Sequence, residues 1–337
     1  MGWAQAHAVN LGRTGLVGLM LVTLALQLAA GVGLAWVAGF HNVHHVLTRF
    51  SWPWIFAIIG ALGVSLVGYY EAYRGTFQAG PHWSLPRKHM WAIAFAGFGG
   101  FLAHGATALD VAAVRAGGAD ERETAVRVSA FGGLEYGVMA VGGCGAAIAV
   151  LVLGLHRPPP SFTLPWAIVP VPGFLLAFWL AHRYRERLLR RKGWRHAIGI
   201  FLQSIQVVRD LFHRPVQRHP AALGMAVFWA GDTCAAWCGL AAFGLRMNVA
   251  QVIVGFATGM IFTRRSTPLA GTAILAVVLP ITMWLSGAPL EVAVPGLFVY
   301  HLLSSWLPVP LTLRSLHRLR AVMQPTGQSV GTLRRAK

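Results

Sequence analysis

Seven side chains in this sequence sit inside apolar stretches, where charge is costly: Asp110, Arg115, Glu135, Asp232, Arg264, Arg265 and His301. An ionisable group in hydrocarbon has to be paired, hydrated or functional. Asp232 lies in the middle of its stretch, between Trp229 and Cys234, and Gly231 beside it leaves room for a neighbouring helix. Glu135 follows Gly132 and Gly133 nearly three turns into another stretch and could pair across a bundle with His301 or an Arg. For both acids two readings are open: a group that exchanges a proton with a passing substrate, or a hydrogen-bonded structural residue. Arg264 and Arg265 interrupt the run from Phe262 to Pro268. If that region folds back on itself, a guanidinium there suits a bidentate contact with phosphate. If it crosses twice, the pair only marks a cytoplasmic loop. Arg115 follows Asp110 by five residues, on a roughly neighbouring helix face, and is either its partner or a solvated interfacial residue. His301, and His104 in the first break, are read either as proton carriers or as hydrogen-bonded structural residues.

Other chemistry lacks its motifs. Cys234 and Cys238 share a helix face at i,i+4, but no second ligand pair stands at zinc spacing, and Cys144 is remote in sequence. No metal site and no cofactor are expected. There is no phosphate-binding Gly-Lys-Ser loop, no His-Glu-x-x-His and no Gly-x-Ser-x-Gly, so hydrolase chemistry or nucleotide-driven transport by those motifs has no support in this chain.

The elements that position these groups follow from composition. Of 337 residues only 11 % are charged and 56 % are hydrophobic, with a mean hydropathy of +0.59. Soluble domains carry about 25 % charged residues, so the solvent implied here is the bilayer. A helix needs about 20 apolar residues to span it. Such runs lie near 14–39, 52–71, 126–154, 164–184, 220–245 and 290–313, which predicts an all-α polytopic membrane protein of six spans. The first run lacks the small-residue exit of a cleaved signal and is read as a retained helix. Regions 89–116 and 248–286 are apolar but carry glycine clusters and polar breaks, and are read as broken or re-entrant helix pairs shielded from lipid.

Lys and Arg number 28 against 10 acids, a net charge of +18. The excess is concentrated between apolar runs, which points to cytoplasmic loops rather than to nucleic acid. Ten basic residues fall between Arg183 and Arg218, where Ile198, Phe201, Leu202, Ile205, Val208, Leu211 and Phe212 recur at helical spacing. That segment reads as an amphipathic helix on anionic inner-leaflet lipid, or as a solvated connector. The basic tail, 314–337, belongs on the same side, so an even number of crossings separates the two, and each broken pair must begin and end on one face. The order span, broken pair, span then occurs twice, at 52–154 and 220–313, with opposite entry. This is an inverted-topology repeat, used by transporters to build a midplane site. The N-terminal helix and loop occupy 1–51, and 155–219 holds a linker span and the basic helix.

In this order of elements, the stretch Gly105 to Glu135 and the stretch from Pro268 through Ser286–Glu291 to Leu297–Pro308 together resemble the transmembrane region of the lysylphosphatidylglycerol synthase and flippase family, over roughly residues 10 to 320. Where that family has Gly-Glu-x-x-Arg in the first break, this chain keeps an acid at Asp110 and has Ala113 in place of the Arg. The family's second-break Glu is Ile274 here, and its Tyr-Arg in the last helix is Tyr300-His301. The soluble aminoacyl-transferase domain of the full-length synthases has no counterpart in these residues. The resemblance implies a bacterial inner-membrane protein, a flippase or scramblase that moves a phosphate-headed lipid between leaflets: a phospholipid, an aminoacylated phospholipid or a polyprenyl-phosphate carrier. Two other classes stay open, a membrane-embedded transferase on a lipid-linked substrate and a non-transporting membrane partner. An oligomer is compatible with either.

The charge pattern predicts that the amino terminus, the 183–218 segment and the carboxyl tail share the cytoplasmic side. In a variant lacking native cysteines, Arg190→Cys and Val330→Cys should stay unmodified by an impermeant maleimide in intact cells. Ready labelling of either position would overturn the topology and the inverted repeat with it.

Overall fold

A computed structural model describes residues 13–77, 86–98, 105–213, 221–261, 270–315 and 318, and every element among them is an α-helix. In chain order they are α1 (Arg13–Ala38), α2 (Phe40–Leu47), α3 (Pro53–Phe77), α4 (Arg87–Phe98), α5 (Gly105–Ala116), α6 (Glu121–Val152) and α7 (Pro160–Ile168). They continue as α8 (Pro170–Leu189), α9 (Trp194–His213), α10 (Ala221–Ala241), α11 (Val249–Ile261), α12 (Ala270–Leu285), α13 (Leu290–Trp306) and α14 (Val309–Arg314). Six segments are long and apolar enough to cross a membrane: α1, α3, α6, α7 with α8, α10, and α13 with α14. Trp36, Phe56, Val152 and Leu175 are each more than half exposed on these helices. Hydrocarbon is the solvent that makes such a surface stable, and the chain is a multi-pass membrane protein.

The tightest contact joins α3 and α10. On α3 the contacting positions are Ala61, Ser65, Gly68, Ala72 and Gly75; on α10 they include Ala221, Gly224, Phe228 and Gly231. Their spacing of three and four keeps one narrow face of each helix on the seam. A methyl group at Gly68 would fall 2.6 Å from the Gly224 carbonyl oxygen, and one at Gly231 would fall 2.7 Å from the Ala61 carbonyl oxygen. The pairing of 61 with 231 and of 75 with 221 makes the helices antiparallel. The two leading spans of the expected repeats therefore run in opposite directions, as inversion requires. Ser65 adds a hydrogen bond to the Phe228 carbonyl at 2.9 Å.

Both broken regions form pairs of short helices. α4 and α5 have 12 residues each, α11 has 13 and α12 has 16, or roughly 18 to 24 Å at 1.5 Å per residue, against about 30 Å of hydrocarbon. Gly255 of α11 faces Met283 of α12 and Ser286 just beyond it, while Gly259 faces Leu279 and Thr282. The pairing descends as the chain ascends, so α11 and α12 are an antiparallel hairpin. It packs on α6, and α4 of the first pair packs on α3 and α14. Thus the second hairpin leans on the last span of the first half, and the first touches the end of the second half. The breaks at 99–104 and 262–269, with His104, Arg264 and Arg265, lie outside the described residues.

Two features differ in detail from the sequence reading. The third span begins at Glu121 rather than near 126, because Asp120 caps it: its Oδ1 accepts from the Glu123 backbone N–H at 2.6 Å. The acidic and basic cluster before that span is thus its first turn. Arg127 bridges Glu123 at 3.0 Å and donates to the Thr76 carbonyl at 2.9 Å, tying the C-terminal turn of α3 to α6. The linker span is two helices, since Pro170 has no N–H to continue α7. Apart from Trp166, which packs against Gly143 and donates to Thr258 Oγ1 at 2.8 Å, it is mostly exposed. The basic segment does hold a helix, α9. It turns back along α8 through Gly193, at a φ of +67° that favours glycine. Leu202, Val208 and Leu211 are buried, whereas Trp194, Phe201 and Phe212 face outward.

The seam can be tested by adding single carbons. Gly68→Ala and Gly224→Ala should each lower the thermal midpoint in detergent by about 1–4 °C, since overpacking costs about 1–3 kcal/mol. Gly63→Ala, on α3 where nothing lies within 4 Å, should leave it unchanged. Equal midpoints for all three would refute the seam.

Candidate functional site

Four of the seven chosen residues are buried within the bundle: Asp110, Glu135, Asp232 and His301, each under 5 % exposed. Asp232 stands on α10 immediately after Gly231, the end of the seam, and faces α13. Its Oδ1 accepts a hydrogen bond from the Tyr300 hydroxyl at 2.9 Å. Three residues earlier on α10, Trp229 donates its indole N–H to the backbone carbonyl of Glu135 on α6 at 3.0 Å. The structure therefore gathers α6, α10 and α13 around Glu135, Trp229, Asp232 and Tyr300, within about a turn of one another along α10. Phe256 of α11 closes the group, edge-on to both Trp229 and Tyr300.

His301 follows Tyr300, so it points about 100° around α13, toward α1. Its Nε2 is 3.2 Å from Gln27 Nε2, the amide acting as donor to the ring nitrogen. Gln27 also donates to Ser305 Oγ at 3.3 Å and accepts from Trp306 Nε1 at 3.3 Å. One amide thus holds three side chains of α13, and the ring of Phe298 covers Gly31 one turn further along α1. Sequence reading passed over Gln27; its signal is a single amide within an otherwise apolar span.

Asp110 makes a second Asp–Tyr pair. It accepts from the Tyr73 hydroxyl at 2.5 Å, joining α5 to α3. An unbroken series of ring contacts leads from Tyr73 through Phe131, Tyr69, Phe228, Trp229 and Phe256 to Tyr300. The two Asp–Tyr pairs are therefore the ends of one aromatic spine through the protein. Each seam helix supplies one member: Tyr73 from α3 and Asp232 from α10.

Comparison with known proteins yields no matching family model and no matching curated relative. The chemistry of the site must speak for itself. A buried carboxyl needs a donor if ionised and an acceptor if protonated, and a tyrosine hydroxyl can serve as either. Such a pair tolerates both protonation states in place. Among the described residues no group of three or more His, Cys, Asp or Glu is placed to hold a metal. Arg115 is not brought to Asp110's carboxyl as an ion pair; its guanidinium lies 3.8 Å from Glu121, at a partly exposed position. Cys144 and Cys238 are buried free thiols, and Cys234 is exposed.

If the Tyr300 hydroxyl holds Asp232 in place, Tyr300→Phe should lower stability in detergent by about 1–3 kcal/mol, because a buried acceptor loses its donor. Asp232→Asn keeps size and an acceptor oxygen and should cost less. A Tyr300→Phe protein as stable as the native one would show that the bond carries no weight.

Proposed function

We propose that this protein is a flippase or scramblase that carries a phosphate-headed lipid between the leaflets of a bacterial cytoplasmic membrane, with both termini in the cytoplasm. The observation that carries the reading is the buried Asp232–Tyr300 pair with Glu135 and His301 beside it, in a bundle whose leading spans are inverted and whose hairpin helices are too short to cross. Carboxyls are kept at such depth, at a cost, where something polar must pass. Short helices end at depth, and helix ends supply unpaired backbone groups that can face a polar head. The resemblance to the lysylphosphatidylglycerol synthase and flippase family supports the same class, and the substrate is a phospholipid, an aminoacylated phospholipid or a polyprenyl phosphate. In this mechanism Arg264 or Arg265, between α11 and α12 in sequence, binds the phosphate transiently, while Asp232 or Glu135 takes and returns a proton to reset the site. The lipid tails remain in the bilayer throughout.

The test is head-group movement in reconstituted vesicles, using fluorescent phosphatidylglycerol and phosphatidylcholine with a membrane-impermeant quencher. The native protein should speed the movement of at least the anionic lipid, and Asp232→Asn should change that rate by about tenfold or more while the protein stays folded. Arg264→Ala combined with Arg265→Ala should abolish the preference for the anionic head. A native protein that moves neither lipid would overturn the flippase reading and favour a non-transporting partner. Native rates in both variants would remove only the site assignment.

A further inference from the structure

At the end of the bundle where α3 begins lies a second polar feature, unrelated to the buried spine. Ser51 donates to the Ala242 carbonyl at 2.9 Å, and the rings of Phe50 and Phe243 touch at 5.2 Å. These contacts bring the α2–α3 junction against the end of α10. Between them and the start of α13 is an open cavity of about 480 Å³, lined by His41, His45, Arg49, Phe243, Pro289 and Glu291 among others.

The helix α2 is built to present this lining. Val43 and Val46 are buried against the bundle, while Phe40 and Leu47 are about half exposed. His41 and His45 lie one turn apart on another stripe of α2, and Arg49 follows just beyond its C-cap at Thr48. The flanking Trp36 and Trp52 are each more than 70 % exposed, as aromatic side chains are at a membrane–water boundary. The cavity therefore opens at the level of lipid head groups, beside an apolar rim.

His41, His45 and Arg49 are exposed at this cavity and Glu291 is half-buried. Arg49 and Glu291 line the same cavity without forming an ion pair, and neither they nor the rings of His41 and His45 have an ion-pair or hydrogen-bond partner among the described residues. Opposite charges held apart in one cavity complement a ligand that carries both signs. An Arg fork and imidazole N–H groups suit phosphate oxygens; a carboxylate suits an ammonium. We propose that this cavity binds a zwitterionic head group, a phosphate diester bearing a primary amine, with the phosphate on Arg49, His41 and His45 and the amine on Glu291. The aromatic rim selects the lipid-borne form over the free head group. If the protein moves lipids, as argued above, this is a reception or release site on the face away from the basic loops.

The full-length protein in detergent is titrated with dihexanoyl phosphatidylethanolamine, dihexanoyl phosphatidylglycerol and water-soluble glycerophosphoethanolamine, and binding is read by calorimetry. The ethanolamine lipid should bind at least fivefold tighter than the glycerol lipid, and the soluble head group at least tenfold weaker than its lipid. Glu291→Gln should erase the ethanolamine preference while keeping phosphate binding. Arg49→Gln should weaken both lipids about tenfold or more, and Arg49→Lys should restore part of that loss. Equal binding of both lipids to the native protein, or a preference untouched by Glu291→Gln, would overturn the assignment. Equally tight binding of the soluble head group would overturn its lipid part. No movement between leaflets enters this measurement, so it stands or falls apart from the transport reading.

Discussion

Two helices can come into backbone contact only where side chains are nearly absent, and the α3–α10 seam meets that condition over four turns. In a bilayer there is no hydrophobic gain from bringing one apolar helix to another, so association rests on close packing. Gly68, Gly75, Gly224 and Gly231 supply it by omission. The antiparallel pair then sets the directions of the two halves. The second hairpin finds α6 and the first finds α3 and α14 because the seam has already placed those helices.

The polar groups are distributed around that seam rather than within it. Tyr73 and Asp232 leave the two seam helices in opposite directions to meet Asp110 and Tyr300. Had Asp232 faced the seam, backbone carbonyls would have been its nearest neighbours, and a carboxylate repels those. Facing outward, it meets the hydroxyl of Tyr300 on α13, while Tyr73 carries a hydroxyl from α3 to Asp110 on α5. Burying such pairs costs more than an aliphatic contact of equal size, so their retention is better explained by function or specificity than by stability. Gln27 does for α1 what the tyrosines do for the hairpin and the last span, converting an otherwise featureless apolar helix into one with a unique docking position.

Much of this was legible in the residues. Spans declare themselves by length and hydropathy, and all six fall where the apolar runs lie. Asp232, Glu135, Asp110 and His301 could be picked out because charge inside an apolar run is rare, and all four are buried. What spacing could not show is partnership. Tyr300 and Tyr73 are ordinary interfacial residues by type, and only the tertiary fold brings them to carboxyls on other helices. Arg115 illustrates the converse: a spacing of five from Asp110 put it on a roughly neighbouring helix face, yet its side chain reaches Glu121 instead. The seam glycines were visible as letters, but helix-to-helix register is a long-range property that no local pattern encodes. α2 escaped notice because eight residues with three histidines look like a loop until Val43 and Val46 are seen to be buried.

The seam also imposes an order of events during biosynthesis. The face of α3 that carries Gly68 has no partner until Gly231 has been made, about 160 residues later in the chain. At roughly 5–20 residues per second that is an interval of about 8 to 30 s. During it α3 must reside in the membrane with a strip of backbone covered only by lipid or by the insertion machinery. The first half of the protein therefore waits in an incomplete state for the second, and an arrest of translation anywhere before α10 leaves a product that presents this unfilled strip to quality control.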